Sequence, residues 1–150
     1  MSKPNFDIFC AEHNCRQIKT PQQQPKPTLG MTFNDCVDNA ADYTALYTDW
    51  QFCAGWFYDE EHHRLLAHAW NRKGKKHRDV TPFRIKSPTT YIWSEHWSER
   101  LYHAVLQFRA GDDSLMGVIH PNYKWQGTQW LEDAPYTREQ QMASLLKEVA

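Results

Sequence analysis

The sequence predicts an α+β fold, and three features of the chain lead to this prediction. A helical pattern begins near residue 32, a series of short aromatic-rich segments follows it, and a second helical pattern ends the chain. The 150 residues are enough for a single domain with one core. Hydrophobic residues make up 41% of the chain and aromatic residues 14%, so we expect most of it to fold.

The first 30 residues are predicted to be an N-terminal segment followed by a connector rich in proline and glutamine. Pro21, Pro25 and Pro27 interrupt regular structure, and apolar residues are few in this stretch. We therefore expect residues 16–28 to lack both helix and strand and to lie along the surface.

The first helix is expected to begin near Thr32, where Thr32 and Asp35 resemble a capping box and Asn34 is a competing cap. Small and apolar residues then recur at helical spacing and predict a buried stripe, formed by Val37, Ala40, Ala41, Thr44 and Tyr47. The pattern ends at Asp49 and Trp50.

After this helix the periodicity changes to that of strands. Residues 50–58 are dense in aromatics, residues 59–62 form a polar turn, and residues 64–71 and 77–83 are predicted to be strands around a turn at Lys73 and Gly74. Residues 101–108 and 115–119 predict a further hairpin. Thr137 with Gln140 predicts the capped start of a final helix.

The hairpin around Lys73 and Gly74 brings a histidine and an aspartate together. If these two residues are the centre of a tight turn, facing residues have numbers that add to 147, so His68 faces Asp79. Opposed residues of an antiparallel pair share a face, with Cβ atoms about 4.5–5.5 Å apart. A histidine and an aspartate so placed can hydrogen-bond, which holds one tautomer and favours the imidazolium.

Cys36 is the candidate nucleophile. It is predicted to lie in the first turn of the helix, where unpaired N–H groups and the helix dipole stabilise a thiolate. A neighbouring histidine would activate it further. The backbone N–H of Cys36 is also a candidate donor to an oxyanion. The predicted catalytic residues are thus Cys36, His68 and Asp79.

Three stretches resemble the transglutaminase-like superfamily within the papain-like cysteine enzymes. Residues 34–40 resemble the nucleophile helix, residues 66–71 match the His-Ala-Trp strand, and residues 78–82 resemble the Asp-x-x-Pro end of the next strand. The match covers residues 32–83. It implies a nucleophile helix packed on an antiparallel sheet, and acyl transfer through a thioester with no cofactor.

The resemblance leaves the reaction open. We expect a cysteine hydrolase acting on an amide bond of a protein or peptide, because a small chain has little room for a second acceptor site. A glutamine deamidase or transglutaminase-type effector is the first alternative, and an inactive binding or inhibitory protein on the same fold is the second. Taken singly, each of the three residues also has an ordinary structural explanation.

Charge and hydropathy exclude other classes of function. The net charge of -1 argues against a nucleic-acid partner, and the basic cluster within residues 72–78 is interpreted as a solvated hairpin tip. No segment approaches the roughly 20 apolar residues that a membrane span needs, and the N-terminus has no apolar signal core. We therefore expect no membrane contact and synthesis in the cytoplasm, with export by a dedicated system left open.

The four cysteines predict neither a disulfide nor a metal site. Without a secretory signal we expect no bond to be needed for folding, and Cys10 with Cys15 is the one close pair. His13 between them suggests a zinc clip, but no second ligand pair follows downstream. Cys53 is expected to be a buried apolar residue.

Overall fold

The computed structural model describes residues 2–23, 36–81, 89–112 and 120–133. Within these ranges three helices and eight strands form a mixed α and β structure, in which helices pack on a curled, mostly antiparallel sheet. The elements are α1 (Phe6–His13), β1 (Arg16–Ile18), β2 (Gln22–Gln23), α2 (Cys36–Leu46), β3 (Gln51–Asp59), β4 (Arg64–Lys73), β5 (Lys76–Asp79), β6 (Tyr91–Ser94), α3 (Glu95–Arg109), β7 (Asn122–Trp125) and β8 (Trp130–Asp133). The predicted α+β class is confirmed.

The central strands lie where the sequence predicts them. β3 and β4 pair antiparallel along their whole length, and residues 60–63 form the turn between them. Their side chains alternate between two faces. One face packs beneath α2 and α3 and is called the outer face; its centre is formed by Phe52, Ala54 and Ala69. The other is called the inner face, where Cys53 and Trp70 pack with Tyr91 of β6.

The sheet curls until its two edges approach each other. Its strand order is β1-β6-β3-β4-β5-β2, so β1 and β2 lie at opposite edges. Residues 19–21 alone connect these strands, and a link of that length spans roughly 14 Å when fully extended. Ile18 of β1 packs against the inner-face cluster. The inner face is therefore the concave one, and the helices cover the convex side.

One edge of β4 has a gap. β4 pairs with β5 from Asn71 onwards and with β7 only at Arg64 and Leu65. Between these pairings, residues 66–70 border no strand of the described ranges on this side, and we call this stretch the sheet gap. A backbone N–H within it, that of Ala67, donates instead to the side chain of Asn122 at 2.7 Å.

The register of the β4–β5 hairpin differs from the predicted one. Asn71 faces Arg78 and Arg72 faces His77, so the turn is centred on Gly74 and Lys75. The predicted pairing of His68 with Asp79 is therefore wrong in register. The residue numbers of each facing pair add to 149 rather than to the predicted 147. Because the register differs by an even number of residues, His68 and Asp79 still lie on one face of the sheet, as diagonal neighbours. Gly74 has φ of 61°, which explains why the turn is centred there.

The expectation that residues 16–28 lack regular structure is wrong for the described part. β1 pairs antiparallel with β6, and β2 pairs parallel with β5. Both strands are short and add to existing sheet edges, so partner strands far along the chain stabilise them. Pro21 lies between the two strands, where its missing N–H costs no ladder hydrogen bond. Residues 24–28 lie outside the described ranges.

The predicted strand over residues 101–108 is wrong, because α3 covers this stretch. Ser94 caps the helix by accepting a hydrogen bond from the Trp97 backbone at 3.1 Å. Buried and half-buried residues then follow at helical spacing, namely Trp97, Ser98, Leu101, Tyr102 and Val105. The predictions for residues 115–119, for the helix after Thr137 and for a helix start at Thr32 lie outside the described residues.

Candidate active site

Cys36 is the first described residue of α2 and is half-buried. It packs beside Val37 against the outer-face cluster. Asp38 follows in the same turn, but its carboxylate pairs with Arg109 of α3 at 3.2 Å. This pairing connects the first turn of α2 to the end of α3.

His68 and Asp79 meet as the sequence predicts, although in the shifted register. The His68 Nε2 atom and the Asp79 Oδ2 atom are 2.7 Å apart. Both residues are buried, with Asp79 fully so. His68 projects from the part of β4 that forms the sheet gap, and Asp79 is the last residue of β5. A buried ion pair needs further hydrogen bonds to be tolerated, and Asp79 has them.

Three residues complete the surroundings of Asp79. The Tyr91 hydroxyl donates to Oδ2 at 2.6 Å, and the Thr81 backbone N–H donates to Oδ1 at 3.2 Å. Thr81 in turn accepts a hydrogen bond from the Asn39 side chain of α2 at 3.3 Å. These contacts tie the aspartate both to β6 and to the helix that carries Cys36.

The pKa of His68 is raised to about 10. Burial lowers this pKa. The charges of Asp79 and Cys36 and the hydrogen bonds to both side chains raise it by a larger amount. His68 is therefore an imidazolium at neutral pH. The same imidazole hydrogen-bonds to Asp79 through Nε2 and also interacts with the side chain of Cys36. The three predicted residues thus lie together in one interacting cluster.

The cluster lies at the sheet gap. Cys36 belongs to a helix on the outer face, whereas His68 occupies the alternate positions of β4 that belong to the inner face. Residues 66–70 have no strand of the described ranges beside them on this edge of β4, and the start of α2 and the His68 ring can meet there.

A second histidine, His120, lies near the cluster, with its ring buried. His120 stacks on Trp97, with ring centroids 4.8 Å apart, and meets Trp56 edge to face at 4.8 Å. Burial, with a smaller contribution from the His68 charge, lowers the pKa of His120 to about 3, so this ring is neutral. Its Nε2 atom is buried, and no described residue hydrogen-bonds to it.

The sequence did not single out Tyr91, Asn39 or His120 for a role. Thr81 and Asn39 lie in the stretches that carry the family resemblance, close in sequence to Asp79 and Cys36. This closeness to the predicted catalytic residues is the signal that could have identified them. Tyr91 follows residues that showed no pattern, and only its pairing with β3 brings it to the aspartate.

The titratable groups at the β3–β4 turn are accounted for by local contacts. Ligand atoms of Asp59, Glu61 and His62 lie within 4.8 Å of one another at the β3–β4 turn. They are largely exposed, and Asp59 already accepts from His62 at 2.8 Å and pairs with Arg64. The four cysteines have free thiols.

No helix in the described ranges combines the length and the apolar character needed to cross a membrane. Comparison of the chain with protein-family models, curated proteins and solved structures finds no match. The candidate site must therefore be judged on its own chemistry.

Proposed function

We propose that the chain is a cysteine hydrolase that cleaves an amide bond of a protein or peptide through a thioester. The observation that carries this proposal is the cluster of Cys36, His68 and Asp79, in which a buried imidazolium interacts with a cysteine on one side and a carboxylate on the other. A purely structural role for His68 would not require both a cysteine and a carboxylate beside its ring.

The first chemical step follows from these contacts. Because His68 already holds the proton as an imidazolium, Cys36 reacts as a thiolate, and its sulfur attacks the carbonyl carbon of the amide. The carbonyl oxygen gains the negative charge, and the Cys36 backbone N–H is the proposed donor to it. His68 then gives its proton to the departing nitrogen, so an amine leaves and a thioester remains on Cys36.

The second step consumes water. His68, now neutral, removes a proton from a water molecule, the resulting oxygen attacks the thioester, and the thiolate leaves as the carboxylic acid forms, which restores the thiolate–imidazolium pair. Asp79 keeps the imidazole oriented and stabilises its charge throughout both steps. If the amide belongs to a glutamine side chain, the same steps release ammonia, and an amine in place of water gives a crosslink.

The arrangement of elements supports the resemblance to transglutaminase-like and papain-like enzymes. A helix carrying the cysteine packs on an antiparallel sheet whose neighbouring strands carry the histidine and the aspartate. A fold hosts several functions, so the reacting groups rather than the fold support the proposed chemistry.

Thiol reactivity tests the proposal directly. Iodoacetamide at neutral pH should alkylate Cys36 faster than Cys10 and Cys15, because burial raises the pKa of these two thiols, that of Cys15 to about 11. His68→Ala should slow the reaction of Cys36 and leave that of Cys15 unchanged. Cys36 labelling no faster than Cys15 labelling in the folded protein would remove the enzyme hypothesis in favour of a binding protein.

Replacement of the nucleophile separates function from stability. Cys36→Ala should abolish hydrolysis, since the sulfur forms the covalent bond, and should change the melting temperature little, because the residue is only half-buried. Mass spectrometry of candidate proteins after incubation distinguishes cleavage, deamidation and crosslinking. Cys15→Ala is the matched control and should retain activity. Full activity of a folded Cys36→Ala protein contradicts the proposal.

A further inference from the structure

A basic cavity lies on the inner side of the curled sheet. Its volume is about 510 Å³, which falls within the range of small-ligand sites. It is bounded by β1, by the link that follows it, by the β4–β5 hairpin and by Trp93 of β6. The residues that matter for its chemistry are Arg16, Lys19, Arg72, Lys75, His77 and Trp93.

The positive charge of this cavity is not compensated within the described ranges. Four of its lining residues are lysines or arginines, none is acidic, and no described carboxylate forms an ion pair with any of the four. The net charge of the chain is only -1, so this local excess of cations is specific to the cavity. Cations left without partners mark a place where an anion can bind.

The cations are held in place by an aromatic ring. The guanidinium groups of Arg16 and Arg72 lie over the Trp93 ring at 4.6 and 4.5 Å from its centre. Arg72 also donates to the Gly74 carbonyl at 3.2 Å. Arg72 hydrogen-bonds to Cys53 as well, whereas no described residue hydrogen-bonds to the Arg16 guanidinium. The N–H edge of Arg16 therefore remains available, and such an edge matches the two oxygens of a carboxylate or phosphate.

His77 adds a neutral donor. Its Nδ1 atom accepts a hydrogen bond from the Trp70 indole at 2.9 Å, so the ring proton resides on Nε2. Burial, with the charges of Arg72 and Arg16, lowers the pKa of His77 to about 4, which keeps the ring uncharged at neutral pH. The cavity wall therefore presents mainly donors, as an anion requires.

The packed inner face separates the cavity from the candidate active site. Arg72 and His68 lie on the same face of β4, four residues apart, which corresponds to about 13 Å. Trp70 lies between them and is fully buried, with its ring 6.2 Å from that of His68 and 6.3 Å from that of His77. The cavity is therefore a site distinct from that of Cys36.

We propose that this cavity binds an anionic side chain of a peptide, a carboxylate or a phosphate, at a site separate from Cys36. The sequence interpretation took the basic residues of the hairpin as a solvated tip, because Arg16 and Lys19 join them only through the pairing of β1 with β6.

Binding by the full-length Cys36→Ala protein tests the inference independently of catalysis. Fluorescein-labelled peptides of equal length would carry glutamate, phosphoserine or glutamine at one position, and fluorescence anisotropy would give their Kd. We expect at least one anionic peptide to bind about tenfold more tightly than the glutamine peptide, with inorganic phosphate as a competitor. The ranking of the glutamate and phosphoserine peptides distinguishes the two sources of the anion.

Variants locate the effect. Arg16→Gln with Lys75→Gln should remove most of the anionic preference, and both residues are exposed, so the fold should be retained. Lys3→Gln with Lys124→Gln removes the same charge away from the cavity and should leave Kd unchanged. Equal affinity for all peptides, an equal effect of both double variants, or tight binding of an oligonucleotide alone overturns the inference. Each of these outcomes leaves the alkylation test of Cys36 unaffected, so the two proposals fail separately.

Discussion

At the scale of single residues, the carboxylate of Asp79 organises the candidate site. One of its oxygens accepts hydrogen bonds from His68 and from the Tyr91 hydroxyl, and the other accepts a hydrogen bond from the Thr81 backbone N–H. A buried carboxylate with three donors is held in one orientation. It fixes the imidazole in turn, so the geometry of the histidine depends on residues that touch no substrate.

Tyr91→Phe tests this dependence. The ring should keep its packing on Trp70 and Phe57, while Asp79 loses one donor. We expect the free energy of unfolding to fall by about 1.5–3 kcal/mol, the usual contribution of a hydrogen bond to a charged group. Alkylation of Cys36 should slow because Asp79 holds His68 less firmly. Urea denaturation and iodoacetamide kinetics measure the two effects.

Tyr102→Phe is the matched control for this change. Tyr102 is half-buried and stacks on Phe52, and no described residue hydrogen-bonds to its hydroxyl. Its replacement should leave both measurements nearly unchanged. Equal losses in the two variants would show that the Tyr91 hydroxyl has no particular role.

The raised pKa of His68 makes stability depend on pH. Its pKa is about 10 in the folded protein and about 6.5 when unperturbed, so the folded state binds the proton more tightly. The stabilisation is fully present below pH 6.5 and is lost as the pH rises through 10. The difference in unfolding free energy between the wild type and His68→Gln should shrink over this range. Urea titrations at several pH values measure it, and a difference that grows with pH contradicts the assignment.

At the scale of elements, the close approach of β3 to β6 depends on a glycine. A Cβ atom on Gly55 would lie 1.8 Å from the Ile92 carbonyl oxygen and 3.1 Å from the Trp70 ring. The Ile92 backbone belongs to a paired strand, so it cannot move aside as the end of a flexible side chain would. This glycine also faces His68 across β3 and β4, so no side chain stands opposite the imidazole.

Gly55→Ala should therefore destabilise the fold severely, by more than about 3 kcal/mol, because two strands must separate to accept one methyl group. Gly74→Ala is the control. Gly74 has φ of 61° with open space around it, so alanine should lose only about 1 kcal/mol there. Urea denaturation compares the two, and similar losses would refute the close-approach argument.

The elements also show what the sequence could predict. β3 and β4 follow from their aromatic patterns and form a local hairpin, and the predicted neighbours His68 and Asp79 stayed on one face because the register changed by an even step. β1 and β2 could not be predicted, since two or three residues carry no periodicity and partner edges stabilise them. The helix α3 was mistaken for a strand because its aromatic and branched residues suit both structures.

At the scale of the whole molecule, the N-terminal residues belong to the core. Phe9 of α1 is fully buried and contacts the rings of Trp56, Tyr123 and Trp130. The Trp130 indole donates to the Asn5 carbonyl at 2.9 Å. The segment before the proline-rich stretch is thus an integral part of the structure.

Phe9→Ala should lower the free energy of unfolding by about 3–5 kcal/mol, as removal of a buried phenylalanine commonly does. Phe108→Ala is the control, because Phe108 is 54% exposed and its loss should change stability by less than about 0.5 kcal/mol. Thermal and urea denaturation measure both. A small effect at Phe9 would mean that α1 is dispensable for the fold.

The closure of the sheet by its N-terminal strands also has a consequence for protein synthesis. β1 and β2 leave the ribosome long before β5 and β6, which are their partners, and Phe9 leaves long before Trp130. β2 must therefore remain unpaired until residue 79 is translated and β1 until residue 94, while Phe9 lacks one of its ring partners until Trp130 follows. Contacts of such high sequence separation form late, and exposed edges and aromatic rings are prone to aggregation in the meantime. The nascent chain therefore exposes these edges and rings until residue 130 has emerged.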